Sequence, residues 1–222
     1  MFKISVLPLL AIAMVGCTNE SNLGAASSVA PEAATVARHR CGLGGSGTGE
    51  VVVEDLVFLR EEEKLARDVY ITLYAEHGLA IFDNISESEQ RHMDAVLRLL
   101  EARDIPDPVL DDAVGVFQNE VLAGLYTDLV DLGMESALGA LTVGATIEDL
   151  DLHDLMEMAE RTTAGDVLRV YESLTCGSRN HMRAFYGQLV AMGGTYEAQY
   201  ITAAELEEIL AGDHERCGRR GR

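Results

Sequence analysis

The chain has 222 residues, of which 48% are hydrophobic and 24% are charged, and its formal net charge at pH 7 is −20. This length fits one domain with tails and is sufficient for a hydrophobic core. The strong negative charge argues against electrostatic binding to nucleic acid or to an anionic membrane surface, because both need basic patches.

Residues 1–17 have the pattern of an export signal, with one lysine, an apolar run from Ile4 to Val15 and the ending MVGC. The run is too short for a comfortable transmembrane span. The ending resembles a bacterial lipobox, in which cleavage leaves Cys17 as a lipidated N-terminus. We therefore expect a lipid anchor that attaches the protein to the cell envelope. Thr18 implies the outer membrane, facing the periplasm, if the organism is Gram-negative; a soluble secreted precursor and an uncleaved anchor are the alternatives.

Residues 18–50 are rich in Ser, Ala and Gly and lack a sustained apolar period, which is typical of a flexible tether. Their glycine-rich stretch GLGGSGTGE precedes no strand–helix unit, so we interpret it as linker and not as a phosphate-binding loop. The globular domain is predicted in residues 51–200, followed in residues 201–222 by a C-terminal extension and a basic tail.

Three further cysteines follow Cys17, namely Cys41, Cys176 and Cys217. An exported protein lives in an oxidising compartment, so two of these three cysteines are expected to form a disulfide. All three pairings are open. No Cys-x-x-Cys pair of the zinc-binding type is present.

The apolar periodicity of the domain predicts an all-α fold with four long helices and one short helix. Two short connections make two antiparallel hairpins, and more than thirty residues join them, as in a ferritin-like four-helix bundle with one long crossover. The only candidate extended segment is TYEAQYI, near the end of the domain. The predicted helices are Glu54–His77, Ile85–Arg103, a short helix Asn119–Asp131, Glu135–Arg161, and a last helix from the N-cap Asp166 to Met192.

The first long helix carries Glu63 on its apolar face. The alternative for this residue is a surface ion pair with Arg67 at i+4. The neighbouring residues Glu61 and Glu62 point away from the apolar face, and we interpret both as solvated.

The second long helix places both Glu89 and His92 on its apolar face, one turn apart. The competing interpretation is a capping box in which Ser86 is the N-cap and Glu89 closes the box. An N-cap at Asn84 leaves Glu89 free to face the core, and we prefer this assignment.

The third long helix carries Glu148 on its apolar face, and the fourth carries Ser178 and His181. Measured from the turn that joins these two helices, Glu148 and His181 lie at the same height, whereas Glu63 and Glu89 fit less well. Converging buried carboxylates repel one another unless they are protonated or bind cations. Bundle di-iron sites satisfy them with one Glu from each of two helices and Glu-x-x-His from the other two.

The segments EEEKLARDVY, IFDNISESEQRHMDAV, VGATIEDLDLHDL and GSRNHMRAF resemble a bacterial ferritin-like family known as domain of unknown function 2202. The similarity covers about Leu56 to Tyr200. The stretch from Glu63 to Tyr70 is also similar to the first metal-ligand helix of rubrerythrins. The resemblance implies five metal ligands: Glu63, Glu89, His92, Glu148 and His181.

The chain departs from the di-iron pattern at Ser178, where a complete site would have a fourth Glu. Asp151, one turn after Glu148, is an additional candidate ligand, and its alternative is a solvated helix face. We expect one or two iron or manganese ions, chemistry with oxygen or peroxide, and Tyr70 beside the site as a redox or hydrogen-bonding partner. The rival hypothesis is a non-catalytic binding or structural module of the cell envelope that kept the fold.

Overall fold

The computed structural model of the protein describes residues 47–217, and this part of the chain is all-α with no strand. No helix in it is long and apolar enough to cross a membrane. The expected signal segment and most of the tether, with Cys17 and Cys41, lie outside the described residues. The helices are α1 (Gly47–His77), α2 (Ala80–Glu101), α3 (Glu120–Met134), α4 (Ala137–Glu160), α5 (Gly165–Ala191) and α6 (Ala203–Ala211).

Four helices, α1, α2, α4 and α5, form a four-helix bundle. Helix α1 packs against α2 and α4, and α5 packs against the same two helices. Residues 102–119 and α3 make the long crossover between the two hairpins, and α3 packs on α1 and α4. The predicted all-α bundle with one crossover that carries a short helix is thus confirmed.

The turn between α1 and α2 is shorter than the sequence suggested. Gly78 ends α1 with a positive φ of 64°, which glycine adopts without steric cost. Leu79 is the N-cap of α2 and offers no side-chain cap, so α2 begins at Ala80. Asn84 and Ser86 therefore lie inside the helix, and neither proposed N-cap is correct.

The segment after α5 closes one side of the bundle without forming a strand. Buried Asp149 holds it, because the Asp149 carboxylate accepts hydrogen bonds from Tyr196 Oη (2.7 Å) and from the backbone N–H groups of Gln199 (2.6 Å) and Ile201 (2.9 Å). The predicted extended segment TYEAQYI is therefore irregular chain around a buried carboxylate. Thr202 then caps α6.

Helix α5 begins earlier than the sequence predicts. Its N-cap is Ala164, and Asp166 lies in the first turn, where it accepts a hydrogen bond from Arg103 Nη2 at 2.7 Å. The predicted N-cap at Asp166 is therefore wrong.

A disulfide joins Cys176 of α5 to Cys217, which ties the end of the described chain to the middle of the helix.

The hydrophobic core consists of two clusters that are separated along the bundle by a layer of polar side chains. On α1, for example, Leu56 and Leu59 belong to one cluster, whereas Val69 and Leu73 belong to the other. The same division recurs on α2, α4 and α5. The apolar ends of the bundle therefore fix the helices on both sides of the polar layer.

Candidate metal centre

The polar layer contains all five side chains that the sequence pointed to as metal ligands. None of them is more than 8% exposed. Their ligand atoms form two groups that share Glu89, and within each group the atoms lie within 4.8 Å of one another. Each group could hold a metal ion. The first group is Glu63, Glu89 and His92, and the second is Glu89, Glu148 and His181.

Glu89 lies between the two histidines and presents one carboxylate oxygen to each of them. His92 Nδ1 is 2.7 Å from Glu89 Oε2 and 3.1 Å from Glu63 Oε2. His181 Nδ1 is 2.8 Å from Glu89 Oε1 and 3.3 Å from Glu148 Oε2. The two imidazole rings are stacked with centroids 5.5 Å apart. Glu89 is thus the carboxylate that the two groups share.

The early start of α2 explains how Glu63 and Glu89 meet. The sequence alone left Glu89 only about one turn into its helix, and thus about 15 Å from the height of Glu63. With α2 beginning at Ala80, Glu89 lies more than two turns into the helix, which removes about half of that difference. Both carboxylates then reach the same His92 nitrogen.

Several ligand atoms have no hydrogen-bond partner, although they lie close together. The buried atoms without a hydrogen-bond partner include Glu63 Oε1, both Glu89 oxygens and His181 Nδ1. The His181–Glu89 approach of 2.8 Å lacks the angles of a hydrogen bond. Mixed imidazole and carboxylate ligands suit iron and manganese, so the residues fit such an ion.

A glycine makes room for one of the ligands. A Cβ atom at Gly177 of α5 would lie 2.6 Å from His92 Nε2, which no real contact tolerates. The backbone of α5 at Gly177 therefore packs directly against the His92 ring, with no side chain between them. Any side chain at this position would displace the imidazole from Glu63 and Glu89.

The titration of the centre reflects burial and close opposite charges. Burial raises the pKa of Glu63 to about 7, although His92 acts in the other direction. Burial would also raise the pKa of Glu89, but the two histidines outweigh it, and the pKa is lowered. Burial lowers the pKa of His181, but Glu89 and Glu148 raise it to about 10. Protonated imidazoles thus neutralise the carboxylates, and a metal ion would compete with these protons.

Ser178 and Asp151 occupy the place where a di-iron bundle would have its fourth Glu. Ser178 is fully buried and its Oγ donates a hydrogen bond to the Asp151 carboxylate. Asp151 is 6% exposed, so its solvated alternative is wrong. Burial, with Glu63 and Glu148 as the nearest charges, raises the pKa of Asp151. Asp151 belongs to neither compact group, and it faces the centre from one turn further along α4.

Two hydroxyl groups hold the ligands from outside. Tyr70 Oη donates to Glu148 Oε1 at 2.6 Å, in the place that the sequence suggested beside the site. His181 Nε2 lies 3.0 Å from Ser88 Oγ. Sequence reasoning missed Ser88, because nothing in the apolar periodicity distinguishes a small polar residue next to Glu89.

Two interpretations of the neighbouring acidic residues are wrong. Glu61 and Glu62 are 3% and 4% exposed and not solvated. The crossover covers Glu61, whereas Glu62 lies on the side of α1 that faces α4. Glu61 accepts hydrogen bonds from the backbone N–H groups of Gln118 (2.6 Å) and Asn119 (3.0 Å). Arg67 makes its ion pairs with Asp68 and Asp112. The alternative ion pair between Arg67 and Glu63 is therefore not formed.

Comparison with known proteins places the chain in a family. Residues 53–213 match the family described as an uncharacterized protein domain (DUF2202). The chain is 55% identical over 163 residues to the uncharacterized protein MJ0754 of Methanocaldococcus jannaschii, which covers 73% of this chain and 88% of the relative. The crystal structure of the hypothetical protein MJ0754 from Methanococcus jannaschii superposes with a TM-score of 0.73 at 49% identity, and covers 82% of this chain and 100% of that chain. The chain therefore belongs to the DUF2202 family.

Proposed function

We propose that this protein is a metal-binding four-helix bundle, related in its ligand pattern to ferritin-like di-iron proteins, that holds one or two iron or manganese ions. The position of Glu89 carries the proposal. Its two oxygens face two histidines, and each histidine meets one further buried carboxylate. A buried group of carboxylates with this arrangement is stabilised by cations.

In the proposed centre, Glu63 and His92 would hold one ion, Glu148 and His181 would hold the other, and Glu89 belongs to both groups. Asp151 would supply an additional carboxylate from α4. Iron in a site of this type would supply redox chemistry with oxygen or peroxide. Tyr70 fixes the orientation of Glu148, and the two hydrophobic clusters keep bulk water away from both sides of the layer.

Ser178 supports a second candidate function. Because the fourth Glu of a complete di-iron site is missing, the bundle would act as a non-catalytic binding or structural module if the centre takes up no metal. The metal content of the protein separates these two functions.

The test is metal binding by the full chain and by two matched variants. The wild-type protein, freed of metal and titrated with Fe²⁺ under anaerobic conditions or with Mn²⁺, should bind one or two ions per chain by elemental analysis. Glu89→Gln should lose most of this binding, because both groups share Glu89. Glu87→Gln changes the same charge at an exposed position of α2 and should bind as the wild type does. Equal binding by both variants, or none by the wild type, would contradict the proposal.

The proposal includes an envelope location through a lipid on Cys17. Its support is the MVGC ending of the apolar N-terminal run. Cys17→Ser should release the protein from membranes in a detergent-free fractionation. A variant that fractionates with membranes as the parent does would exclude the lipid anchor, without affecting the metal centre.

A further inference from the structure

A buried carboxylate next to the proposed centre has no partner of its own. Glu62 of α1 is 4% exposed, and both of its oxygens lack a hydrogen-bond donor. Its neighbour Glu61 is equally buried but accepts two backbone hydrogen bonds. A buried carboxylate without donors is costly, by several kcal/mol, unless it meets a proton or a cation. Glu62 is thus a buried acidic side chain without a hydrogen-bond donor, and neither group of the centre contains it.

The surroundings of Glu62 are acidic on the side that faces α4. Asp154 is its acidic neighbour, and the other negative charges that act on its carboxylate are those of Asp151 and Glu63. Asp151 and Asp154 are three residues apart on α4 and therefore share a helix face. Asp154 is half-buried, whereas Glu62 and Asp151 are buried. Asp154 is therefore the member of the row that reaches the surface.

The basic groups that face this row of acids lie at its outer end. His153 and Arg161 act on Asp154. Arg161 is already engaged, with ion pairs to Asp55 at 2.9 Å and to Glu157 at 3.3 Å. Within the described part of the chain, Glu62 has no ion pair with a lysine or arginine. The row therefore offers oxygen atoms and negative charge to a divalent cation.

We infer that Asp154, Glu62 and Asp151 form a carboxylate path along which divalent cations pass from the surface between α1 and α4 to the metal centre. This inference rests on the proposed function. Among the described residues, the three carboxylates are not one of the compact groups that could hold an ion in place. A less compact row of carboxylates suits the passage of a cation. A transit site must bind the cation strongly enough to admit it and weakly enough to release it.

The rate of metal uptake tests the path. Metal-free full-length protein is mixed with Mn²⁺ in a stopped-flow instrument, and an indicator dye reports the free Mn²⁺; the final number of bound ions is measured on the same samples. Glu62→Gln and Asp154→Asn should take up Mn²⁺ about tenfold more slowly, since a row of like charges raises local cation concentration. Both should reach the wild-type number of bound ions. Exposed Glu160 lies on the same helix as Asp154, and Glu160→Gln should load at the wild-type rate.

Each result decides between the path and its alternatives. Wild-type rates in both variants would overturn the path and leave the metal centre standing. A lower final number of ions in Glu62→Gln would make Glu62 a ligand of the centre, which also overturns the path. If Glu160→Gln slows Mn²⁺ uptake as much, the slower uptake comes from the loss of surface charge in general, and the path is overturned. No uptake by the wild type would refute the centre itself. Asp154→Asn alters a half-buried residue, so it keeps the test decisive if Glu62→Gln fails to fold.

Discussion

Helix α1 carries two sets of buried charges on opposite sides, and they are satisfied in different ways. On the outer side, Lys64 and Asp68 are fully buried and form an ion pair at 2.5 Å, and Lys64 also donates to the Ala113 carbonyl at 2.8 Å. Arg67 donates to Asp68 and to Asp112 of the crossover at 2.8 and 2.7 Å. On the inner side, Glu63 leaves one oxygen without a partner.

The difference shows two uses of buried charge in one helix. The outer set contains acids and bases that satisfy one another, and its contacts with Asp112 and Ala113 fasten the crossover to the bundle. In the inner set, as far as the structure describes the chain, the basic groups that pair with the carboxylates are histidines, whose charge depends on pH. The charges of the outer set are therefore paired within the chain, whereas the inner set needs protons or would need metal ions to balance its carboxylates. Variants of the two sets should differ in their response to metal.

The largest effect is expected in the outer set. Asp68→Asn removes the negative charge between Lys64 and Arg67 and leaves a buried ammonium group unpaired. We expect the free energy of unfolding to fall by about 3–5 kcal/mol. Urea unfolding followed by circular dichroism should show the same loss with EDTA and with Mn²⁺. Asp128→Asn, at an exposed position of α3, should unfold near the wild type. A loss that depends on Mn²⁺ would contradict the division into two sets.

The inner set should determine the response to metal. A metal at a hundred times its dissociation constant should raise the free energy of unfolding of the wild type by about 2.7 kcal/mol. His92→Ala should abolish most of this gain in Fe²⁺ or Mn²⁺, because His92 completes one of the two groups. His153→Ala removes a half-exposed histidine of α4 and should keep the full gain. Equal gains in the two variants would place the metal elsewhere.

The metal-free protein should lose stability as the pH rises. The pKa of Glu63 is about 7 when folded, against an ordinary value of 4.5, so the folded state binds more protons between these values. His181, raised from 6.5 to about 10, contributes in the same direction over a higher range. Glu89 has a lowered pKa, and its contribution is lost only in acid, below about pH 4.5. The melting temperature in EDTA should therefore be higher near pH 5.5 than near pH 8.5.

Metal should oppose this pH dependence. Metal binding displaces protons from the ligands, so the increase in melting temperature with Mn²⁺ should be larger near pH 8.5 than near pH 5.5. In Glu63→Gln the side chain at position 63 cannot titrate. The slope of melting temperature against pH in EDTA should therefore flatten between about pH 4.5 and 7. An increase with Mn²⁺ that is no larger near pH 8.5 than near pH 5.5 would show that the carboxylates of the inner set do not bind it.

The smallest effect is expected at Tyr70. Tyr70→Phe removes the hydrogen bond to Glu148 Oε1 and keeps the ring that packs against Phe82 and Phe185. Loss of such a supporting contact should weaken Mn²⁺ binding about tenfold, and equilibrium titration measures it. Unchanged affinity would mean that packing alone positions Glu148.

The sequence predicted the bundle and the inner set for one physical reason. A Glu or His that interrupts an apolar stripe must face the core, so Glu63, Glu148 and His181 were visible from periodicity alone. Helix starts were predicted less well, because α2 begins without a capping side chain and gives no local signal at Ala80. The outer set was not predicted at all. Its partners lie in the crossover, and no periodicity of α1 indicates which irregular segment will cover its polar side.

The two hairpins contribute the same pattern of side chains to the centre, except at one position. Each first helix supplies a Glu, and each second helix supplies a His preceded by a residue three positions earlier, which is Glu89 in one hairpin and Ser178 in the other. The carboxylate absent from α5 is present on α4 as Asp151, in contact with Ser178. A search for related proteins that demands two copies of Glu-x-x-His would therefore discard this chain. A search that counts acidic side chains at one level of the bundle, on whichever helix they occur, would retain it.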